Sequence, residues 1–325
     1  MKERNIGIDI LKFLAVLLIT NSHMELLYGK YDFLATGGTI GDALFLFCSG
    51  YTLFMKPTGG LRAFPDWYKR RINRIYPTVL AMAIVNCVFF HSHPDILQII
   101  LYGGGWFVSC IMLYYLLVYF IVLYGKDRLD WVILLVGIAS CIWFYCMDRS
   151  PGFNMYDFEG GRLKWLLYFV FMLLGARLGL AKTRFEDHSL RDLLLGVLGI
   201  VLFYAVYVAG MKVEPLGWIQ VFNFIPLLFA IYHLFLWGNG RMARKIYENR
   251  ICHFLIRFVS GLCLEIYLIQ GPLFTDKLNG IFPLNLVIVF VVIVVAAYLV
   301  RCLARWISQT FKDAPYDWRK IVSLF

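Results

Sequence analysis

Lys12 and His23 lie eleven positions apart in the first apolar segment, IDILKFLAVLLITNSH. On an α-helix that spacing is about three turns, so both side chains fall on one face, roughly 16 Å apart along the axis. An imidazole can take a proton from a hydroxyl near neutral pH. A lysine towards the other end can hold a phosphate. Ionisable groups inside apolar segments are costly and mark function by default. The pair points to a reaction whose two halves enter from opposite membrane surfaces. Each residue also has a plainer reading. His23 can rest at the interface or bond a carbonyl, and Asn21, Ser22 and Glu25 make that helix end polar. Lys12 can pair with Asp9, three residues before it, or snorkel to the cytoplasmic headgroups.

A second cluster lies in DWYKRRINRIYP, a loop running into a helix, where Lys69, Arg70, Arg71 and Arg74 fall within six positions. Arg71 and Arg74 are three apart and share a face, and their planar forks suit a phosphate-rich ligand. Topology and lipid headgroups would also account for such a cluster. In GDALFLFCSGYTLF, Asp42 sits near the outer end of the second span, with Ser49 and Gly50 in its middle. Gly permits close helix approach and Ser can bond across helices. Cys48 can in principle form a thioester, although a free Cys in an apolar helix ordinarily acts as a small hydrophobe. Glu265, in SGLCLEIYLIQGP with Tyr267 and Gln270 close by, must face the bundle interior or water. Asp42, Ser49, Glu265 and Tyr267 are candidate substrate contacts, and for Glu265 a structural hydrogen-bond role is the alternative.

These groups need a lipid-embedded scaffold. The chain has 325 residues, of which 61% are hydrophobic and only 16% charged, with a mean hydropathy of +0.71. Soluble domains carry about 25% charged residues. Apolar runs of about 20 residues recur along the whole length, as membrane-spanning helices require. The expected fold is all-α and polytopic, a bundle of about ten transmembrane helices forming a single integral-membrane domain over 1–325. The spans are predicted near 6–27, 38–55, 75–93, 106–124, 131–147, 164–181, 193–211, 217–237, 255–275 and 283–304. The stretch 94–105 is too short and glycine-rich to cross, and reads as an interfacial or re-entrant piece. No internal repeat and no broken helix is read from the pattern.

The net charge of +10 reflects topology rather than a nucleic-acid partner, because the basic residues cluster in alternate loops. Lys56, Arg62, Lys69, Arg70, Arg71 and Arg74 fall on one side, with Lys126, Arg128, Lys182, Arg184, Arg191, the Arg241–Arg257 group, and the tail residues Arg305, Lys312, Arg319 and Lys320. The opposite side holds Lys30, Arg149, Arg162, Lys164, Lys212 and Lys277. That asymmetry predicts both termini inside. The longest outer loop, 148–163, carries Asp148, Tyr156, Asp157 and Glu159, and reads as solvated loop or as a receiver of an acceptor. Trp67, Tyr68, Trp106, Trp131 and Trp318 fit an interfacial aromatic belt. The cysteines at 48, 87, 110, 141, 146, 252, 263 and 302 form no CxxC, so neither a disulfide framework nor a zinc site is expected. Lys2 and Arg4 before an apolar run mimic a signal peptide, but no small-residue cleavage site follows, so the segment is expected to be retained.

Together these motifs resemble the acyltransferase-3 family of membrane-bound acyltransferases. The start, Lys12 to His23, is similar to that family's first span. LFLFCSG at 44–50 resembles its second-span Ser-Gly pattern, and RRINRIYP at 70–77 its Arg-x-x-Arg, here Arg71 and Arg74. WFVSCIMLYYLL at 106–117 resembles its Trp-Phe motif, and SGLCLEIYLIQGP at 260–272 its late Tyr-Leu segment. The resemblance implies about ten helices in the plasma membrane and transfer of an acyl group, usually acetyl, from cytoplasmic acyl-coenzyme A (acetyl-CoA). The acceptor would be an extracytoplasmic hydroxyl, usually of a glycan, and no metal is implied. It makes His23 the catalytic residue and Lys12, Arg71 and Arg74 the donor contacts. The chain departs from the pattern at Gln270, where the family often has His, and at Lys12, which lacks an arginine's bidentate grip. No hydrolase-like soluble domain is read, so any second transfer step would need a partner. The alternatives are a transporter or flippase of a lipid-linked sugar, which would ordinarily show repeats and broken helices, and a non-catalytic sensor.

Overall fold

A computed structural model describes residues 5–55, 59–92, 95–103, 105–148, 153–156, 161–181, 186–311 and 314–325. Lys2, Arg4, Lys56, Arg149, Asp157, Glu159, Lys182, Arg184 and Lys312 lie outside these residues. Among the described residues the chain is helical, with no strand. The order begins α1 (Ile6–Ser22), α2 (Glu25–Tyr28), α3 (Gly38–Phe54), α4 (Phe64–Phe89) and α5 (Ile96–Tyr102). It continues α6 (Trp106–Gly125), α7 (Leu129–Cys146), α8 (Gly161–Ala181), α9 (Ser189–Lys212) and α10 (Phe224–Asn239). It ends α11 (Arg241–Glu248), α12 (Arg250–Gly261), α13 (Cys263–Leu273), α14 (Leu284–Thr310) and α15 (Trp318–Ile321).

Among the described residues, six helical stretches are long and apolar enough to cross a membrane, or up to eight if each of two bent pairs is one crossing. This is a multi-pass membrane architecture. Two breaks differ from the smooth spans expected from sequence. The chain turns by 68° between α1 and the helical stretch Glu25–Leu34, and by 77° between α12 and α13. The first break follows from polar side chains at the end of α1. The Ser22 hydroxyl donates to the Ile19 carbonyl (2.9 Å), and the Asn21 amide donates to the carbonyls of Leu34 and Thr36 (both 2.9 Å). At the second break Leu262 leaves helical geometry (φ −92°, ψ 12°). The freed carbonyl of Gly261 is taken by the Arg301 guanidinium.

The basic segment is also not a loop. DWYKRRINRIYP lies inside α4, which starts at Phe64, well before the expected 75. Pro65 in the first turn costs no hydrogen bond there, and Asp66 complements the helix dipole. The 94–105 piece holds only the seven-residue α5, too short to cross.

The chain forms two compact units. The first comprises Met1–Lys12, Asp42–Thr58 and Leu117–His253; the second comprises Phe13–Gly41, Gly59–Leu116 and Phe254–Phe325. Within the first, small residues let helices approach closely. Gly175 of α8 faces the Phe47 carbonyl of α3, and Gly50 of α3 faces the Met172 carbonyl of α8. Gly196 and Gly199 of α9 meet Leu234 and Ala230 of α10. Lipid provides no hydrophobic drive between helices, so backbone proximity and van der Waals contact must supply it. Asp192 and His233 add a buried pair between α9 and α10 at 3.0 Å. In the second unit α4, α13 and α14 pack together.

A methyl group at Gly175 would meet backbone, which cannot rotate aside. Gly175→Ala should cost about 1–3 kcal/mol, read as a lower thermal midpoint of the detergent-solubilised protein. Gly280→Ala, whose added carbon meets nothing, should leave the midpoint in place. Equal midpoints for both variants would contradict the close α3–α8 crossing.

Candidate functional site

His23 is the first residue past α1, which ends at Ser22. Its backbone N–H donates to the Thr20 carbonyl (3.2 Å), a tightened last turn. The side chain is exposed. The surrounding segment is fixed from several directions. Tyr28 donates to the Asn21 side-chain oxygen (2.6 Å). Asn279 and Asn285 donate to the carbonyls of Leu26 and Leu27 (2.8 Å each). The rings of Tyr28 and Tyr31 lie 6.0 Å and 5.6 Å from that of Phe282. Met24 and Leu27 are buried beneath the turn. The imidazole is therefore carried on a pinned segment.

Arg71 and Arg74 lie in the same unit, on α4. Arg74 is exposed, whereas Arg71 is half-buried. The Arg71 guanidinium sits 5.0 Å from the centroid of the Trp67 ring, with Tyr115 of α6 beside it. Its Nε is buried without a hydrogen-bond partner. Arg70 and Arg74 add like charge, and among the described residues no carboxylate pairs with it. Trp67 does not belong to an exposed belt: it is 5% exposed, against 66% for Trp131 and 63% for Trp318.

Glu265 is buried and bridges three helices of this unit. It accepts from Thr78 of α4 (3.4 Å) and from Arg301 of α14 (3.5 and 3.4 Å). Tyr267, also on α13, packs its ring 5.5 Å from that of Phe107 and closes against Gly105. Gln270 is buried with its Oε1 unpartnered.

Lys12, Asp42 and Ser49 belong to the other unit. Lys12 is half-buried on α1, while Asp9 accepts from Tyr247 (2.9 Å). Asp42 accepts a hydrogen bond from Tyr168 and lies in the field of Lys164. Ser49 is buried on α3. The buried Cys48 thiol points at the Ile8 carbonyl (3.9 Å), the contact of a small core residue. Residues 153–156 of the long loop are not simply solvated. Phe153 and Met155 are buried, and Asn154 donates to Tyr207 (2.9 Å). Burial pushes the Tyr156 phenol above its ordinary range.

Sequence reasoning missed Arg301, Thr78, Trp67 and Tyr115. The signal for Arg301 was present: an arginine within the apolar helix α14 calls for a polar or acidic partner on another helix. Nothing in the spacing distinguishes Trp67 from an interfacial tryptophan. Among the described residues no cluster of His, Cys, Asp or Glu could hold a metal ion.

Removing one member of a buried pair strands the other. Arg301→Leu should destabilise the protein by about 3–5 kcal/mol, and Glu265→Leu/Arg301→Leu should recover part of that loss. The thermal midpoints of the three proteins test it. A double variant no more stable than Arg301→Leu would show that the loss arises from packing rather than charge.

No curated protein and no solved structure matches the chain. A family profile described as an acyltransferase domain matches residues 5–304, taking in α1 with His23, the Arg71–Arg74 helix and the Glu265 segment. The chain belongs to the acyltransferase-3 family.

Proposed function

We propose that this membrane acyltransferase moves an acyl group, most simply acetyl, from cytoplasmic acyl-coenzyme A to a hydroxyl of an extracytoplasmic acceptor, a sugar or glycan. The observation that carries the reading is the Arg71 guanidinium. It is partly buried, crowded by Arg70 and Arg74, and unneutralised by any carboxylate among the described residues. Such a group fits the phosphates of a nucleotide-bearing donor. Arg74, on the same helix, would extend that grip, and Lys12 of the first unit is a further candidate donor contact. The donor supplies an activated thioester carbonyl. His23 takes the acceptor proton on a ring nitrogen as the hydroxyl oxygen attacks, then returns it to the departing thiolate. No covalent enzyme intermediate is needed, and the buried Cys48 is not used. Ser49 is a candidate to steady the oxyanion, while Asp42, Glu265 and Tyr267 are candidate acceptor contacts.

The loop charges support an orientation with both termini in the cytoplasm of a plasma-membrane enzyme. Ten crossings result if α6 and α7 count separately, each bent pair counts once, and the short α3 crosses. Family membership favours acyl transfer over a transporter, despite the two broken helices.

His23→Ala should lower acyl transfer by at least about 10²-fold, the usual contribution of a positioned acid–base group. Mass spectrometry of envelope glycans from cells making wild type or variant reads this as loss of acyl increments, and equal modification would remove His23 from the chemistry. Arg71→Ala should raise the apparent KM for acetyl-CoA about tenfold or more, followed by thiol release in detergent. An unchanged KM would remove Arg71 from the donor surface.

A further inference from the structure

We infer that Trp67 and Tyr115 are positioning residues that hold the Arg71 guanidinium with its hydrogen-bonding edge free for a phosphate; this rests on the donor reading above. Trp67 precedes Arg71 by four positions on α4, so the two share a helical face. The guanidinium lies over the indole at 5.0 Å. The Trp67 and Tyr115 rings meet edge to face at 6.3 Å and 85°, and both are buried, at 5% and 8% exposure. Tyr68 fixes α4 to α6 by donating to the Met112 carbonyl (3.3 Å), one turn before Tyr115. The ring pair is thus braced from both helices.

A guanidinium stacked on an aromatic face is held by its π surface, and its N–H groups point outward in the plane. Arg257 of this unit is also stacked, 4.5 Å from the Phe325 ring, with its Nε buried and unpartnered, whereas Arg301 is held by an ion pair. Arg301 is satisfied by Glu265 and by the Gly261 carbonyl. Arg71 is held by rings instead of a carboxylate, and its buried Nε has no acceptor. Ring packing gives orientation without neutralising charge, so the cation stays available for an anion. A carboxylate in the place of Trp67 would orient the arginine and also occupy it. Of the two sources of a phosphate here, the donor and a lipid headgroup, the donor is the ligand of this edge.

The test is the dissociation constant of coenzyme A for the full chain in non-ionic detergent, measured by calorimetry. Trp67→Leu should weaken binding about five- to tenfold, and Trp67→Phe, which keeps a ring, less than about threefold. The deciding variant is Trp67→Leu/Arg71→Gln. If the indole acts through Arg71, the double variant binds no worse than Arg71→Gln alone. A general packing defect would instead multiply the two losses and overturn the proposal. Tyr115→Leu, alone and with Arg71→Gln, gives the same comparison if Trp67→Leu does not fold. Unchanged binding in Trp67→Leu and Tyr115→Leu, with Arg71→Gln weakened, refutes the ring pair and leaves the donor surface standing. Unchanged binding in Arg71→Gln refutes both. A final arm adds phosphatidylglycerol and measures its retention by native mass spectrometry. Loss of lipid but not of coenzyme A in Trp67→Leu would assign the phosphate to a headgroup and overturn the proposal.

Discussion

A charge placed among apolar helices must find a partner, because neither lipid tails nor packed side chains can solvate it. Much of the tertiary structure follows from how each such charge is answered. Glu265 is answered by Arg301 and Thr78, which ties α13 to both α14 and α4. Asp192 is answered by His233, which ties α9 to α10. Asp9 is answered by Tyr247, across 238 residues of sequence. Each partner lies on a helix that local sequence cannot name. These bonds set which helices meet, whereas glycines such as Gly175 and Gly199 set how closely they meet.

Against that background the two groups central to the proposed chemistry stand apart. Arg71 has rings around it and no counter-charge among the described residues. His23 is exposed at a turn whose following segment is held from several sides. Glu265, Asp192 and Asp9 are thus partnered by other helices, whereas no carboxylate among the described residues answers Arg71. A catalytic base must change protonation state during a cycle, so a strong permanent partner would hold it in one state.

The membrane architecture was legible in the sequence because hydropathy reports lipid exposure directly. The family motifs were also legible, since they are short and local. The breaks were not. The turn after Ser22 depends on Asn21 reaching Leu34 and Thr36, and the one at Leu262 leaves a Gly261 carbonyl that Arg301 satisfies from α14. An apolar run reads as one span whether or not a distant side chain breaks it. The start of α4 was misplaced for a related reason. Its first turns are charged, so hydropathy begins the span near 75 although Pro65 and Asp66 begin the helix at Phe64. The 153–156 segment looked like solvent-exposed loop from its composition, but Gln220, from elsewhere in the chain, accepts from the Met155 N–H and helps bury it.

The break after α1 alters how the first motif should be understood. Eleven residues of unbroken helix would point Lys12 and His23 along one face, as if the helix itself were the ruler. The helix stops at Ser22, and its last turn tightens so that His23 donates to Thr20. The position of the imidazole is then set less by helical phase than by the bonds from Tyr28, Asn279 and Asn285 that fix the following segment. The two asparagine bonds come from the α13–α14 connection and from the start of α14, on the same stretch of chain as the Glu265–Arg301 pair. A change in the α13–α14 packing would therefore reach His23 through the Leu26 and Leu27 carbonyls, with no contact to the ring itself. The placement of His23 and the neutralisation of a buried acid are thus two consequences of how one helical hairpin packs.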